Sequence, residues 1–164
     1  MATKNIERKF TITAFSTSVD FSWDRDFVFN GESHQTWEIV YVRSGKVEVT
    51  EDEKIYQLEA NNMIIHTPWE FHRIKSAGGT STTLFVMSFY ADGKLPKKLG
   101  EGVFTLTADQ IVQYNDVFEG IHSFSKTGDS SSYAGQNAAD KLSAFFIELS
   151  EESVATFFRY VIGG

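Results

Sequence analysis

The chain has no cysteine among its 164 residues. That excludes disulfides, thiolate catalysis and cysteine-ligated zinc, and it is ordinary for a cytoplasmic protein, the setting expected here. No run of eighteen apolar residues occurs, so no membrane-spanning helix is expected. Met1 to Phe10 holds no apolar segment of the kind that opens a secretory signal. Positive charge is scarce, with 15 Lys and Arg against 22 Asp and Glu, a net charge of −7. Affinity for DNA comes mainly from neutralising phosphates, so this chain by itself is not expected to hold nucleic acid. The one local basic cluster, Lys94, Lys97 and Lys98 around Pro96, reads as a solvated loop. There is no Gly-x-Ser-x-Gly nucleophile elbow and no phosphate cradle, and Gly100-Glu101-Gly102 lacks the third glycine of a dinucleotide loop.

What is present is apolar and aromatic. Hydrophobic residues make up 41% and aromatics 15%, including fifteen Phe, well above a disordered composition. A chain of this length forms one domain, or one with an appendage, and can bury roughly 70% of its unfolded surface.

The first part of the chain reads as short strands. Phe10, Ile12 and Ala14 alternate with Thr11 and Thr13 in a polar N-terminal arm. Trp23, Arg25, Phe27 and Phe29 share one parity before the Asn30-Gly31 turn. Ile39 to Val42 is apolar on both faces, which suits a strand buried between layers. Ser44-Gly45 reverses the chain into Val47 and Val49, a pattern that predicts a β-hairpin. The three acids Glu51-Asp52-Glu53 predict a solvated tip, and Asn61-Asn62 another sharp turn. Met63 to His66 and Phe71 to Lys75 follow as strands, with Pro68 between them, where it removes no ladder hydrogen bond. From Thr80 to Tyr90, Leu84, Val86, Ser88 and Tyr90 face one way and Phe85, Met87 and Phe89 the other.

From Thr107 the period becomes helical. Thr107 and Gln110 form a capping-box pattern, followed by Ile111, Tyr114, Phe118 and Ile121 on one face. After a Gly/Ser-rich break from Ser123 to Ser132, Leu142, Phe145, Phe146 and Leu149 fall at i, i+3, i+4 and i+7. Val154, Phe157, Phe158 and Val161 repeat that spacing. Such faces must be buried, on the barrel or on a partner chain.

The stretch Glu32 to His72 resembles the cupin double-stranded β-helix, and more closely the N-terminal sensor domain of AraC-type transcriptional regulators. Those strands often read His-x-His-x-x-x-Glu, then a hydrophobic strand and Gly. Here His34 matches the second His, Glu38 the Glu and Gly45 the Gly, while Glu32 stands where the first His is often found. In the second motif Asn61 replaces the usual Gly, Pro68 keeps its place and His72 matches the terminal His. The resemblance implies a mainly β jelly-roll barrel followed by a helical subdomain, divided as an arm and first strand over 1–20, a barrel over 21–106 and helices over 107–164. It also implies an arm able to lie across a ligand pocket, a small-molecule effector such as a sugar, and homodimerisation through Leu142, Phe145, Phe146 and Leu149. DNA would be reached only through a helix-turn-helix half absent from this chain, which is then expected to be the sensing half alone.

The site residues expected on this reading are His34, Glu38 and His72, with Arg25 and Ser88 as further ligand contacts. They would act as hydrogen-bonding groups in an apolar cavity, with no cofactor, metal or catalysis. The alternative is a stand-alone metal-dependent cupin enzyme, a dioxygenase or sugar isomerase, with His34, Glu38 and His72 as ligands and Glu32 as a fourth candidate. In a straight strand His34 and Glu38 would stand about 13 Å apart, so a shared site requires a bend at Gln35-Thr36. His66 and His122 belong to no motif and are expected to be structural.

Overall fold

The computed structural model describes residues 2–152 and 160–161. Ten strands and two long helices follow one another: β1 (Phe10–Trp23), β2 (Val28–Glu32), β3 (Trp37–Ser44), β4 (Lys46–Glu51), β5 (Lys54–Glu59), β6 (Asn62–His66), β7 (His72–Ser76), β8 (Thr82–Gly93), β9 (Val103–Thr105), α1 (Ala108–Thr127), α2 (Tyr133–Glu152) and β10 (Tyr160–Val161). A single 3-10 turn, Lys97–Gly100, precedes β9. The strands form two five-stranded sheets, ordered β1-β8-β3-β6-β9 and β10-β5-β4-β7-β2, and every pairing is antiparallel. The architecture is the expected one, a jelly roll with helices after it.

The sheets face each other because alternate residues of each strand are apolar toward the barrel. Val40, Val42, Ile64, Leu84 and Val103 of the first sheet pack on Val47, Val49, Tyr56 and Leu58 of the second. The opposite face of the first sheet is apolar as well. Ile39, Tyr41, Met63, Ile65, Phe85, Met87 and Phe89 form a second core with the helices. Double-sided burial of β3 is therefore what its continuous apolar run requires.

Ser44-Gly45 does not make a hairpin. β3 pairs with β6 and β8, whereas β4 pairs with β5 and β7, so the chain crosses from one sheet to the other at this corner. Gly45 holds φ +83°, and a Cβ there would run into the Ser81 carbonyl oxygen. The true hairpin comes next, closed by Asp52-Glu53 between the paired Glu51 and Lys54. Asn61 adopts φ 72°, as its turn requires, and the chain crosses sheets again between β5 and β6.

β1 runs without a break across residue 20, so the expected boundary between arm and barrel falls inside one edge strand. At the other boundary the sequence pattern holds. The Thr107 hydroxyl accepts from the Gln110 amide at 3.2 Å, and the Thr107 amide donates to Gln110 Oε1 at 2.9 Å, which starts α1 as a complete capping box.

Leu142, Phe145, Phe146 and Leu149, the face expected to pair two chains, are at most 1% exposed and lie in the chain's own core. Phe146 packs 5.5 Å from Phe89, and Phe145 lies 5.1 Å from Tyr114. Each such burial contributes about 1.5–3 kcal/mol, and no area of that face is left to offer a partner. Val154, Phe157 and Phe158 lie outside the described residues. Val161 continues no helix, since Tyr160 and Val161 pair with Tyr56 and Ile55 as strand. Among the described residues no helix is long and apolar enough to cross a membrane.

Candidate metal centre

Two rows of polar side chains meet inside one end of the barrel, placed there by strand register. On the first sheet Ser88, Glu38 and His66 are direct cross-strand neighbours on β8, β3 and β6. On the second, Glu32, His72 and Glu51 align on β2, β7 and β4. All but Glu32 are buried, in line with the apolar residues two positions away on the same strands.

His34 joins them from the loop between β2 and β3. The chain bends at Gln35-Thr36 as a shared site demands, and His34 Nε2 lies 3.6 Å from Glu38 Oε1. The loop is pinned by the Trp69 amide, which donates to the His34 carbonyl at 2.7 Å, and by the Ser33 hydroxyl, which donates to the Trp69 carbonyl at 2.8 Å. Donor atoms of Glu32, His34, Glu38 and His72 lie within 4.8 Å of one another. Glu32 Oε1 is 3.3 Å from His34 Nε2 and 3.6 Å from His72 Nε2, and Glu38 Oε2 is 3.0 Å from His72 Nε2.

Both histidines turn the same nitrogen inward. His34 Nδ1 lies 3.0 Å from the Thr36 carbonyl oxygen, and His72 Nδ1 lies 3.1 Å from that of Glu70. A carbonyl only accepts, so in the neutral ring the proton sits on Nδ1 and a bare Nε2 faces the carboxylates. His72 Nε2 is buried and has no aligned hydrogen-bond partner despite its closeness to Glu38. Two nitrogens and two carboxylates pointed at one another are balanced either by a proton on each ring or by a cation between them. Two ligands about 2.1 Å from one ion stand about 3.0 Å apart at a right angle and about 3.4 Å apart at the tetrahedral angle, and the contacts seen run from 3.0 to 3.6 Å. Two imidazoles and two carboxylates suit a divalent first-row metal. The residues present fit that group.

Electrostatics hold Glu38 ionised. Burial alone would raise its pKa, but in the metal-free chain, with the rings protonated, the hydrogen bond from His72 and the charges of His66, His72 and His34 outweigh it and hold the carboxyl below its usual range.

Behind this set lies a second one that sequence reasoning missed. His66 Nδ1 is 3.0 Å from Glu51 Oε1 and 3.2 Å from Glu70 Oε1, and the Thr67 hydroxyl donates to Glu70 Oε2 at 3.3 Å. Burial would push the His66 imidazolium down, but the two glutamates outweigh it and raise the pKa to about 9. Burial pushes Glu51 up, whereas His66 holds Glu70 low. Glu51 is therefore no part of a solvated tip. It is 5% exposed because it continues the inward parity of Val47 and Val49, a signal legible in the sequence.

The remaining candidates separate. Ser88 is buried beside Glu38 and accepts a hydrogen bond from the Thr17 hydroxyl at 2.8 Å. Arg25 is exposed on the turn after β1 and lines no part of the site, because the chain leaves the strand at Trp23 and the expected parity is broken. His122 is far from the cluster, its Nδ1 placed 3.0 Å from the Ser18 carbonyl oxygen.

A cavity of about 380 Å³ adjoins the cluster between the sheets, lined by residues of β1 and β2 at the two sheet edges and by Glu32, Glu38, His66 and His72.

Residues 28–90 match the family profile described as "Cupin domain". No curated protein matches the sequence. Similar solved structures include a conserved protein of unknown function from Streptococcus pyogenes, 15% identical with a TM-score of 0.42 over 51% of this chain and 67% of that one. The cupin domain of Cnp3 from Schizosaccharomyces pombe is 14% identical with a TM-score of 0.43, over 53% and 57%. A predicted oxalate decarboxylase from Thermotoga maritima is 16% identical with a TM-score of 0.44, over 46% and 66%. Nothing among these ties the chain to AraC-type regulators. The profile match begins at β2 and ends within β8, and the helices lie outside it.

Proposed function

We propose that this chain is a metal-dependent cupin that binds a small organic molecule beside a divalent ion held by Glu32, His34, Glu38 and His72. The observation that carries the reading is the convergence of the Nε2 atoms of two histidines, each ring fixed by a backbone carbonyl at Nδ1, on two carboxylates. A bound divalent metal would supply Lewis-acid polarisation of an oxygen ligand and acidify bound water. The chain's own residues do the rest. Thr36 and Glu70 carbonyls orient the rings, the pinned loop keeps His34 in reach, and the apolar cavity walls position the organic ligand.

Elemental analysis of protein purified without chelators tests this. About one equivalent of iron, manganese, nickel or zinc per chain is expected, and its loss in both His34→Ala and His72→Ala. Metal-free protein that also fails to take up any of these ions on addition would overturn the reading.

A second reading, the effector-binding half of an AraC-type regulator that acts as a homodimer, has one specific support. β1 lines the cavity with Thr17, Val19, Phe21 and Trp23, while Phe15 and Ser18 of the same strand touch Phe124 and His122 of α1. A ligand that shifts β1 would thereby shift a helix. Reading the gene past Gly164 tests it, with two helix-turn-helix units expected downstream and a stop codon within a few residues counting against it.

A further inference from the structure

We infer that the cavity takes a compact, uncharged aromatic molecule that presents one oxygen donor, a phenol or benzylic alcohol in class, to the Glu38 and His72 end. The oxygen end rests on the metal reading above, whereas the aromatic body rests on the cavity walls alone. Those walls are Trp23, Phe27, Phe29, Val40, Ile74 and Val86 along most of their length. Trp23 and Phe27 stack at 3.7 Å with planes 22° apart, which makes that side a flat, stiff aromatic surface.

Polar groups are confined to one end. They are Glu32, Glu38, His66 and His72, with Thr17, whose hydroxyl is already engaged with Ser88. Among the described residues no Lys or Arg lines the cavity, so a phosphate or a free carboxylate would find no cationic side chain among them. A sugar, the effector class implied by the AraC resemblance, carries hydroxyls on every side. Against these walls most of them would leave water without gaining a partner. A ring with a single polar end meets both surfaces at once. The volume of about 380 Å³ lies at the small end of ligand pockets and suits one ring with a short substituent.

Calorimetric titration of the full chain, Mn2+-loaded and EDTA-treated, with p-cresol and with D-xylose tests this. One p-cresol per chain is expected, with a negative heat-capacity change, affinity at least tenfold greater in the Mn2+-loaded protein, and no xylose binding at the same concentrations. Val86→Phe narrows the cavity without touching the metal cluster and should weaken p-cresol at least tenfold. Ile74→Phe should do the same, each variant being checked by a thermal melt. Saturable xylose binding, or no p-cresol binding to either form, overturns the aromatic assignment. Equal p-cresol affinity with and without bound Mn2+ overturns the oxygen end. Failure of the chain to take up Mn2+ at all would sink the metal reading, and p-cresol binding to that metal-free chain would still support the aromatic cavity.

Discussion

The imidazole rings of His66 and His72 lie face to face, with centroids 4.1 Å apart and planes 8° from parallel, although they stand on opposite sheets of the barrel. The stack joins the two polar sets. His66 is held charged by Glu51 and Glu70, and its ring covers the face of the histidine whose Nε2 looks toward Glu38. His66→Ala removes that cover and leaves two glutamates without their cation. A loss of about 3–5 kcal/mol in urea-unfolding stability is expected, as for other broken buried ion pairs, and a loss below about 1 kcal/mol would contradict the arrangement.

Stability should fall as the metal-free protein is taken from neutral pH to pH 9 and above. His66 has its pKa raised to about 9 in the folded chain from an ordinary 6.5, so its contribution is complete below 6.5 and disappears as pH rises through 9. Glu51, raised to about 7, adds in the same direction, its contribution fading as pH rises through 7. The His66 part is on the order of 3 kcal/mol at most. Thermal melts in EDTA across this range should show the fall, and His66→Gln should flatten its alkaline part. A flat profile in the parent chain would contradict the charged state assigned to His66.

Gly45 is where the barrel changes sheets, with φ +83° and the Ser81 carbonyl oxygen where a Cβ would sit. Gly45→Ala must strain the backbone and also move β8. A loss of at least about 2 kcal/mol is expected from denaturant unfolding, more than an exposed glycine such as Gly79 should give.

Much of this fold is legible in the sequence because period-two alternation, the turn residues and the Thr107 capping box are local signals. The corner at Ser44-Gly45 is not, since a hairpin and a sheet crossing have the same local pattern and differ only in which distant strand pairs with β3. The His34, Glu38 and His72 set is readable from its motif, and the bend at Gln35-Thr36 follows from needing the first two together. Glu51 was hidden by its neighbours Asp52 and Glu53, which are solvated, although its parity with Val49 pointed inward. His66 was hidden because its partners come from another strand and a following loop. Arg25 shares the parity of Trp23 and Phe29 in the sequence, but it sits on a turn, where strand alternation does not hold.

The helical face of Leu142, Phe145, Phe146 and Leu149 is core, so Phe146→Ala should cost about 3–5 kcal/mol in stability and leave the association state in light scattering unchanged. A well-folded variant that dissociates from a parent dimer would show instead that this face joins two chains.

The most direct measurement is a titration of EDTA-treated protein with Co2+, followed by its visible absorbance. Saturation at one equivalent per chain is predicted, with histidine and carboxylate ligation in the spectrum, an absorbance reversed by chelator and strongly weakened in Glu38→Gln. Absorbance that stays at the level of free Co2+, or that saturates identically in Glu38→Gln, would contradict the metal centre.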